Sequence, residues 1–354
     1  MSLVDTADQR ALAAAVRSLV TDHSPMSAVR RVVEDGLGFD PAVWSRLAEL
    51  GVAGLTLPEE HGGSGGSQGD LAAVLRELGY GLVPSPLLSS SVLAANVLLL
   101  LDDEPVKKEL LPQLAAGEVV ATLAGPGDVR ATDDGVLDGA AHAVLHGGHA
   151  DVLLIPVRPG GVHLVRAGAP GLTVTPEPGL DGTLPTATVA FRQTPAALVA
   201  GDADVALARV ADLANVAVAA WQSGALRRAL EVTTGFAKNR YSFGLPIGSY
   251  QGVKHKLADV YTDWCLVDAA TRRAVEALDG GEPDASACAA ASRLLAGPAY
   301  VNGAKRMMTL HGGIGFTWEH DAHLFYKNAV TTSVLLGGLP EQRSRLADLL
   351  GLSV

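Results

Sequence analysis

The sequence predicts an α+β fold, in which a region of short strands follows one helical region and precedes another. Three regions of different hydrophobic periodicity along the 354 residues lead to this prediction. We place an N-terminal helical domain at residues 1–118, a middle β-domain at 119–200 and a C-terminal helical bundle at 201–354. Strands that are grouped between helical regions are typical of the α+β class.

The N-terminal region has the spacing of amphipathic helices. Apolar residues within 12–20 recur at intervals that place them on one face of a helix. Pro41 is suited to begin a second helix, which Gly51 ends, because proline favours the first turn and glycine the position after the last. Residues 71–78 are predicted to form a third helix.

The middle and C-terminal regions differ in the length of their apolar segments. Short runs punctuated by glycine, proline and aspartate predict strands at 152–157, 162–165, 172–174 and 187–191. From about residue 203 the apolar spacing is helical again, over segments much longer than an average helix. Gly280 and Gly281 separate two of these long helices.

Composition excludes several classes of function. The net charge of −11 and the pI near 5.3 argue against a nucleic-acid-binding surface, which needs clustered lysine and arginine. The apolar run 92–101 is too short to span a bilayer, and the first residues lack the pattern of a secretory signal. Cys265 and Cys288 form no disulfide framework and suit a reducing compartment. We therefore expect a cytoplasmic protein with no membrane or nucleic-acid partner.

Two segments near the C-terminus carry a family resemblance. Residues 240–251 read RYSFGLPIGSYQ and residues 310–319 read LHGGIGFTWE. Together they resemble the C-terminal signatures of acyl-CoA dehydrogenases, FAD enzymes that oxidise acyl-CoA thioesters to enoyl-CoA; residues 44–63 and 75–79 resemble N-terminal segments of the same family. The resemblance implies an N-terminal helical domain, a middle β-domain, here shortened, and a C-terminal four-helix bundle.

The resemblance also implies a set of cofactor contacts. Arg240 matches the arginine that holds the FAD pyrophosphate, for which a planar guanidinium is well suited. Thr309 stands where the family has a glutamine, so that contact would be shortened or absent. The implied FAD-binding residues are Arg240, Ser242, Phe243, Gln251, Thr309, Gly312 and Gly313. No metal-binding residues are implied.

The catalytic base of the family has no counterpart at either of its usual positions. Where the glutamate follows the Gly-Gly element, this chain has Leu336 before Gly337; at the alternative position, upstream of the arginine motif, it has Ala214. Asn215 stands where the family has an arginine that helps to hold CoA. Neither leucine nor alanine can accept a proton, so we assign no catalytic residue.

The elements that hold a subunit's own flavin in the family are largely replaced. Residues 123–128, 143–148 and 337–340 lack the expected polar and aromatic side chains, whereas the signatures that reach a neighbouring subunit's FAD are largely present. This pattern resembles the short subunit of bacterial hetero-oligomeric acyl-CoA dehydrogenases. It implies a paralogous partner subunit, a heterotetramer and a bulky acyl-CoA substrate, such as a steroid side-chain thioester.

Two alternatives remain open. The chain could be an active homotetramer with a relocated base, for which Glu319 and Glu341 are the candidates, with Glu341 expected on another face of the helix that carries Leu336. It could also be a non-enzymatic scaffold that retains the fold for association or acyl-CoA binding. The histidines at 142, 146 and 149 are interpreted as surface polar residues, and His320 and His323 as part of an ordinary helix start.

Overall fold

The computed structural model describes residues 5–125, 127–132, 134–158 and 161–352. The expected order of a helical N-terminal part, a middle β region and a helical C-terminal part is confirmed. The helices that precede the first strand are α1 (Ala7–His23), α2 (Met26–Glu34), α3 (Pro41–Glu49), α4 (Gln68–Gly81), α5 (Ala95–Leu100) and α6 (Glu104–Ala115). A π-helical segment, Leu88–Ala94, leads directly into α5.

The middle region contains short strands where the sequence predicts them. They are β1 (Ala121–Leu123), β2 (Arg130–Ala131), β3 (Val136–Leu145), β4 (Val152–Val157), β5 (Gly161–Arg166), β6 (Leu172–Pro176), β7 (Thr186–Pro195) and β8 (Ala197–Ala200). One sheet has the order β1-β4-β5-β8, with β1 and β4 parallel, and the second has the order β2-β3-β7-β6 with antiparallel pairs throughout.

The C-terminal part is built from long helices, as the periodicity predicts. It contains α7 (Asp204–Asn239), the short strands β9 (Tyr241–Ser242) and β10 (Leu245–Pro246), α8 (Gln251–Asp279), α9 (Ala285–Leu310), α10 (Ala322–Val334) and α11 (Leu339–Leu349). The first three of these long helices have 36, 29 and 26 residues. None of the described helices combines the length and the apolar character needed to cross a membrane.

The chain forms two compact units. The first comprises Met1–Val29, Gln68–Val83 and Asn215–Val354, and the second comprises Arg30–Ser67 and Pro84–Ala214. Each unit therefore combines segments that are distant in sequence. Long-range packing, and not chain continuity alone, defines both units.

Close backbone contact between α4 and α7 depends on two glycines within the first unit. A Cβ atom on Gly79 would lie 2.1 Å from the carbonyl oxygen of Trp221, and one on Gly224 would lie 1.9 Å from that of Arg76. These distances are far shorter than any real Cβ contact, so neither position accepts a side chain without moving one helix. The two glycines fix how closely α4 approaches α7.

The interior of the first unit contains a hydrogen-bonded polar network among α7, α9 and α10. The Oδ1 atom of Asn328 accepts hydrogen bonds from Trp221 Nε1 at 3.1 Å and from the Tyr300 hydroxyl at 3.2 Å. The Gln222 amide donates to the Thr332 hydroxyl at 3.0 Å, and all five side chains are buried. Polar groups paired in this way avoid most of the cost of burial and fix the relative positions of the three helices.

The two sheets of the second unit share one apolar core. A single cluster of buried residues includes Leu137 and Val144 of β3, Leu153 and Ile155 of β4, and Phe191 of β7. Residues from the inner faces of both sheets therefore pack together, as in a sandwich.

One prediction about the histidines of this unit is wrong. His142 is exposed and His149 is half-buried, but His146 is fully buried, with its Nδ1 atom 3.1 Å from the Ser89 hydroxyl. Burial, together with the smaller effect of the neighbouring His149 charge, lowers the pKa of the His146 imidazole to about 3. His146 follows the last residue of β3 and turns into the interior, so it is a core residue and not a surface polar residue.

Candidate functional site

The arginine signature forms a small hairpin at the end of α7. The helix ends at Asn239, and the next residue, Arg240, leads into β9, which pairs with β10 in an antiparallel register. Phe243 and Gly244 form the turn with φ values of 51° and 81°. Glycine adopts this left-handed backbone conformation without strain, whereas for Phe243 it costs conformational energy, which is a common feature of functional turns.

Hydrogen bonds fold this hairpin back onto the start of α8. The Ile247 amide donates to the Arg240 carbonyl at 2.7 Å, and the Tyr250 hydroxyl donates to the Ser242 carbonyl at 2.9 Å. A single 3-10 turn, Ile247–Ser249, then leads into α8, whose first residue is Gln251, with an exposed side chain. The signature from 240 to 251 is therefore one folded unit and not an extended loop.

The side chains that the hairpin presents are exposed. Phe243 is 95% exposed, and Tyr241 and Leu245 are more than half exposed. The Arg240 side chain is also exposed, and its guanidinium has no hydrogen-bond or ion-pair partner in the described parts of the chain. An arginine in this state can bind an anionic group of another molecule without first breaking an internal ion pair.

The Gly-Gly signature forms a turn after α9. Gly312 begins a 3-10 turn, Gly312–Phe316, with a φ value of 66°. A Cβ on Gly312 or Gly313 would meet no atom within 4 Å, so this stretch of backbone is accessible to another molecule. The Thr309 hydroxyl instead donates to carbonyls of its own helix, to Lys305 at 3.0 Å and Arg306 at 3.2 Å.

Three aromatic rings pack in a row beside the two signatures. The ring of His311 lies 4.3 Å from that of Phe236, near the end of α7, and also 4.3 Å from that of His320, just before α10. His311 is buried and its Nδ1–H donates to the Met307 carbonyl at 2.7 Å; burial lowers the pKa of the imidazole. The sequence analysis missed Phe236 and His311, although both lie within four residues of a predicted site residue.

A cavity lies beside the hairpin, between α7 and α8. Its volume is about 360 Å³, and it is lined mainly by apolar atoms. Ala237 and Lys238 of α7, Gly248 of the 3-10 turn, and Lys254 and Tyr261 of α8 contribute to its wall. Lys238 and Lys254 give the wall of this otherwise largely apolar cavity a positive charge.

Leu336, which the resemblance places at the position of the family's base, lies in a break between two helices. Helix α10 ends at Val334, and Leu336 is 40% exposed with a φ value of 58°. Helix α11 begins only at Leu339, so the expectation that Leu336 and Glu341 share one helix is wrong. Gly337, with a φ of 107°, and Gly338 separate the two helices because their backbone leaves the helical conformation.

The other residues considered for proton transfer do not form a site. Ala214 is buried, and the neighbouring Asn215 amide donates to Gln342 Oε1 at 3.1 Å. Glu319 and Glu341 are both exposed. Asn215 therefore forms a buried hydrogen bond within the first unit. The resemblance implies that other family members have a CoA-binding arginine at this position.

Comparisons with known proteins agree with the signatures. The family model of the acyl-CoA dehydrogenase N-terminal domain matches residues 6–118, and that of the C-terminal domain matches residues 203–350. The acyl-CoA dehydrogenase IpdE2 of Mycolicibacterium smegmatis is 36% identical over 332 residues, which cover 94% of this chain and 95% of that protein.

Solved structures extend this similarity to the whole fold. The ChsE4-ChsE5 complex from Mycobacterium tuberculosis contains a chain with a TM-score of 0.92 and 27% identity, covering 100% of both chains. A variant of the Tcur3481-Tcur3483 steroid ACAD has a TM-score of 0.88 and 30% identity, covering 97% of this chain and 98% of that chain. The two family models and the relative at 36% identity lead to one conclusion: the chain belongs to the acyl-CoA dehydrogenase family.

Proposed function

We propose that this chain is a subunit of an FAD-dependent acyl-CoA dehydrogenase that completes the FAD site of a paralogous partner and supplies no catalytic base. One contrast carries the proposal. The exposed Arg240 side chain is available to another molecule, whereas Leu336 occupies the base position in the same unit. The unit thus retains a group that can bind an anion, Arg240, but has no proton acceptor at position 336.

The residues present fit the part of FAD that such a subunit would contact. The Arg240 guanidinium would bind the pyrophosphate oxygens through charge-assisted hydrogen bonds, with Ser242 and Gln251 as polar neighbours. The accessible backbone of Gly312 and Gly313 leaves room for the cofactor to approach. Thr309 adds little, since its hydroxyl is already used within α9.

The chemistry that FAD supplies when bound is acceptance of a hydride from the β-carbon of the acyl thioester. Removal of the α-proton needs a base in a water-poor pocket. Leu336 provides only an apolar surface, so the proton would be taken by a carboxylate of the partner subunit. This chain would bind and position the cofactor at the partner's site and would leave proton transfer to that subunit.

Two further observations support a hetero-oligomer. The ChsE4-ChsE5 and Tcur3481-Tcur3483 neighbours are each named as assemblies of two different chains, and the second is named a steroid ACAD. Large apolar side chains are exposed on both signature segments, namely those of Tyr241, Phe243, Leu245, Ile314, Phe316 and Trp318. Exposed apolar groups of this kind are suited to burial against another subunit. We propose a paralogous partner, a heterotetramer and a bulky acyl-CoA substrate, such as a steroid side-chain thioester.

Expression with and without the partner tests the proposed function. The chain would be purified alone and after co-expression with a paralogous acyl-CoA dehydrogenase encoded beside it, and FAD per chain and dehydrogenase activity would be measured. We expect flavin and activity only in the co-purified complex. Stoichiometric FAD with robust activity in the lone chain would contradict the proposal.

The alternative of an active homotetramer requires a base within this chain. Glu319→Gln and Glu341→Gln would each have to abolish exchange of the substrate α-proton while FAD stays bound. Unchanged activity in both variants would leave that alternative without a named base. The scaffold alternative instead requires that Arg240 be dispensable for the FAD content of every assembly containing this chain.

A further inference from the structure

A second cavity lies apart from the family signatures, among α1, α4, α7 and α8 of the first unit. Its volume is about 360 Å³. Five arginines line it, at positions 10, 17, 76, 227 and 272, against three carboxylates, at positions 5, 77 and 268. The lining therefore has an excess of two positive charges, although the whole chain has a net charge of −11.

Each carboxylate of the lining is already paired. Glu77 is buried and accepts two hydrogen bonds from Arg17, at 2.6 and 2.7 Å. Asp5 accepts from Arg76 at 2.6 Å and also from Arg272, which donates to Asp268 at 2.7 Å as well. The negative charges of the lining are thus committed to three of the five arginines.

The other two arginines, Arg10 and Arg227, form no ion pair with a carboxylate of the lining. Arg10 donates to the backbone carbonyl of Asp5 at 2.6 Å and forms no ion pair with any described residue. Arg227 pairs with Glu231, four residues further along α7 and outside the lining, at 2.8 Å. Arg10 is the clearest source of uncompensated positive charge at the cavity.

The electrostatic environment of Arg76 and Tyr80 favours an added anion. The Arg76 side chain is only 13% exposed; burial lowers its pKa, and the charge of Arg272 lowers it further. Three guanidinium groups, those of Arg17, Arg227 and Arg228, lie 5.0–5.9 Å from the centre of the Tyr80 ring. Arg17 and Arg227 are paired with Glu77 and Glu231, whereas Arg228 has no ion pair with a described residue, so a ligand that carries negative charge would offset the positive charge left here.

We propose that this cavity binds a small organic dianion, in which two anionic oxygen groups are held by arginine guanidiniums. Glu231 offsets Arg227, but Arg228, which donates to the Tyr80 hydroxyl at 3.0 Å, adds a positive charge beside the cavity, so the excess stays at two and sets the ligand charge. The volume admits a molecule of a few carbon atoms. Guanidinium forks pair with carboxylates and phosphates alike, so a dicarboxylate and a phosphate monoester share the required chemistry. The Tyr80 and Trp264 rings supply apolar wall for the carbon skeleton.

Calorimetric titration of the full chain at constant ionic strength tests the proposal. The two dianionic probes are succinate, a dicarboxylate, and glycerol phosphate, a phosphate monoester. Acetate, a carboxylate with a single negative charge, is the control. We expect at least one dianion to bind in a single saturable step and acetate to bind at least tenfold more weakly. Preference for succinate or for glycerol phosphate identifies the ligand as a dicarboxylate or a phosphate ester.

Two variants locate the binding. Arg10→Gln removes the unpaired cation and should lower the affinity for the preferred dianion about tenfold, since a charge-assisted contact is lost. Arg158→Gln is the matched control, because Arg158 is an exposed arginine paired with Asp204 in the second unit. The proposal is overturned if neither dianion binds better than acetate, or if both substitutions weaken binding equally. The wild-type titration decides the question even if Arg10→Gln lowers stability.

Discussion

Arg293 and Arg240 lie in the same compact unit but in opposite environments. Arg293 is 2% exposed, and its guanidinium donates to Gln222 Oε1 at 3.1 Å, to the Leu335 carbonyl at 3.0 Å and to the Thr332 carbonyl. Arg240 is exposed, and its guanidinium donates to no described residue. The buried arginine has its donors occupied within the chain, whereas the exposed one keeps them available for another molecule.

The buried position of Arg293 is stable because carbonyl groups take the place of a carboxylate. It binds carbonyls at the C-terminal end of α10, where the helix dipole favours a positive charge. Burial lowers its pKa to about 10, so it stays protonated at neutral pH. The comparison shows that the donors of one residue type are satisfied within the fold in one place and are left available to another molecule in another.

The largest expected effect is on stability, from Arg293→Met. Loss of the guanidinium leaves the Gln222 oxygen and two helix-terminal carbonyls without donors, which should lower the free energy of unfolding by about 3–5 kcal/mol. Urea denaturation measures this change. The matched control is Arg240→Met, which should stay within about 0.5 kcal/mol of wild type. Similar losses in both variants would remove the distinction between the two arginines.

A buried histidine extends the comparison to the second unit. His146 has a folded-state pKa of about 3, below its ordinary value of 6.5, so the unfolded state binds the proton more readily. Its contribution to stability is complete above pH 6.5 and is lost as pH falls, by about 1.4 kcal/mol per unit. In His146→Leu, stability measured by urea denaturation between pH 6.5 and 4.5 should fall less steeply than in wild type. Parallel pH curves would contradict this.

The exposed arginine should affect the cofactor and not the fold. If Arg240 binds a partner's FAD, Arg240→Ala removes a charge-assisted contact of about 1.5–3 kcal/mol and should weaken FAD binding roughly ten- to a hundredfold. Flavin titration of the co-purified complex measures the affinity, and thermal unfolding of this chain provides the control. Full FAD retention would remove the main support for a shared site.

The smallest expected effect is that of Leu336→Glu. A carboxylate at position 336 should leave dehydrogenase activity per complex unchanged, because the resemblance implies that the segments beside a subunit's own flavin are replaced as well. Activity assays of the co-purified wild-type and variant complexes test this expectation. An added turnover that depends on the new carboxylate would show that the second site lacks only its base.

Much of the secondary structure and the identity of the signature residues followed from the sequence. Apolar spacing predicted the strands from β4 to β7 and the long helices. Side chains three or four residues apart share one face of a helix, and side chains two residues apart share one face of a strand, whatever the tertiary structure. The lack of an ionisable side chain at position 336 was also visible, since leucine cannot ionise in any fold. Glycine signals placed the helix end near residue 280.

Other features were decided only by tertiary structure. The contacts among the rings of Phe236, His311 and His320 depend on how α7, α9 and α10 pack. Arg272 meets Asp5 across a sequence separation of 267 residues. His146 follows an ordinary strand pattern, yet packing buries it completely. Periodicity reports neighbours on one element, whereas burial, pairing and pKa depend on groups brought together by packing across the chain.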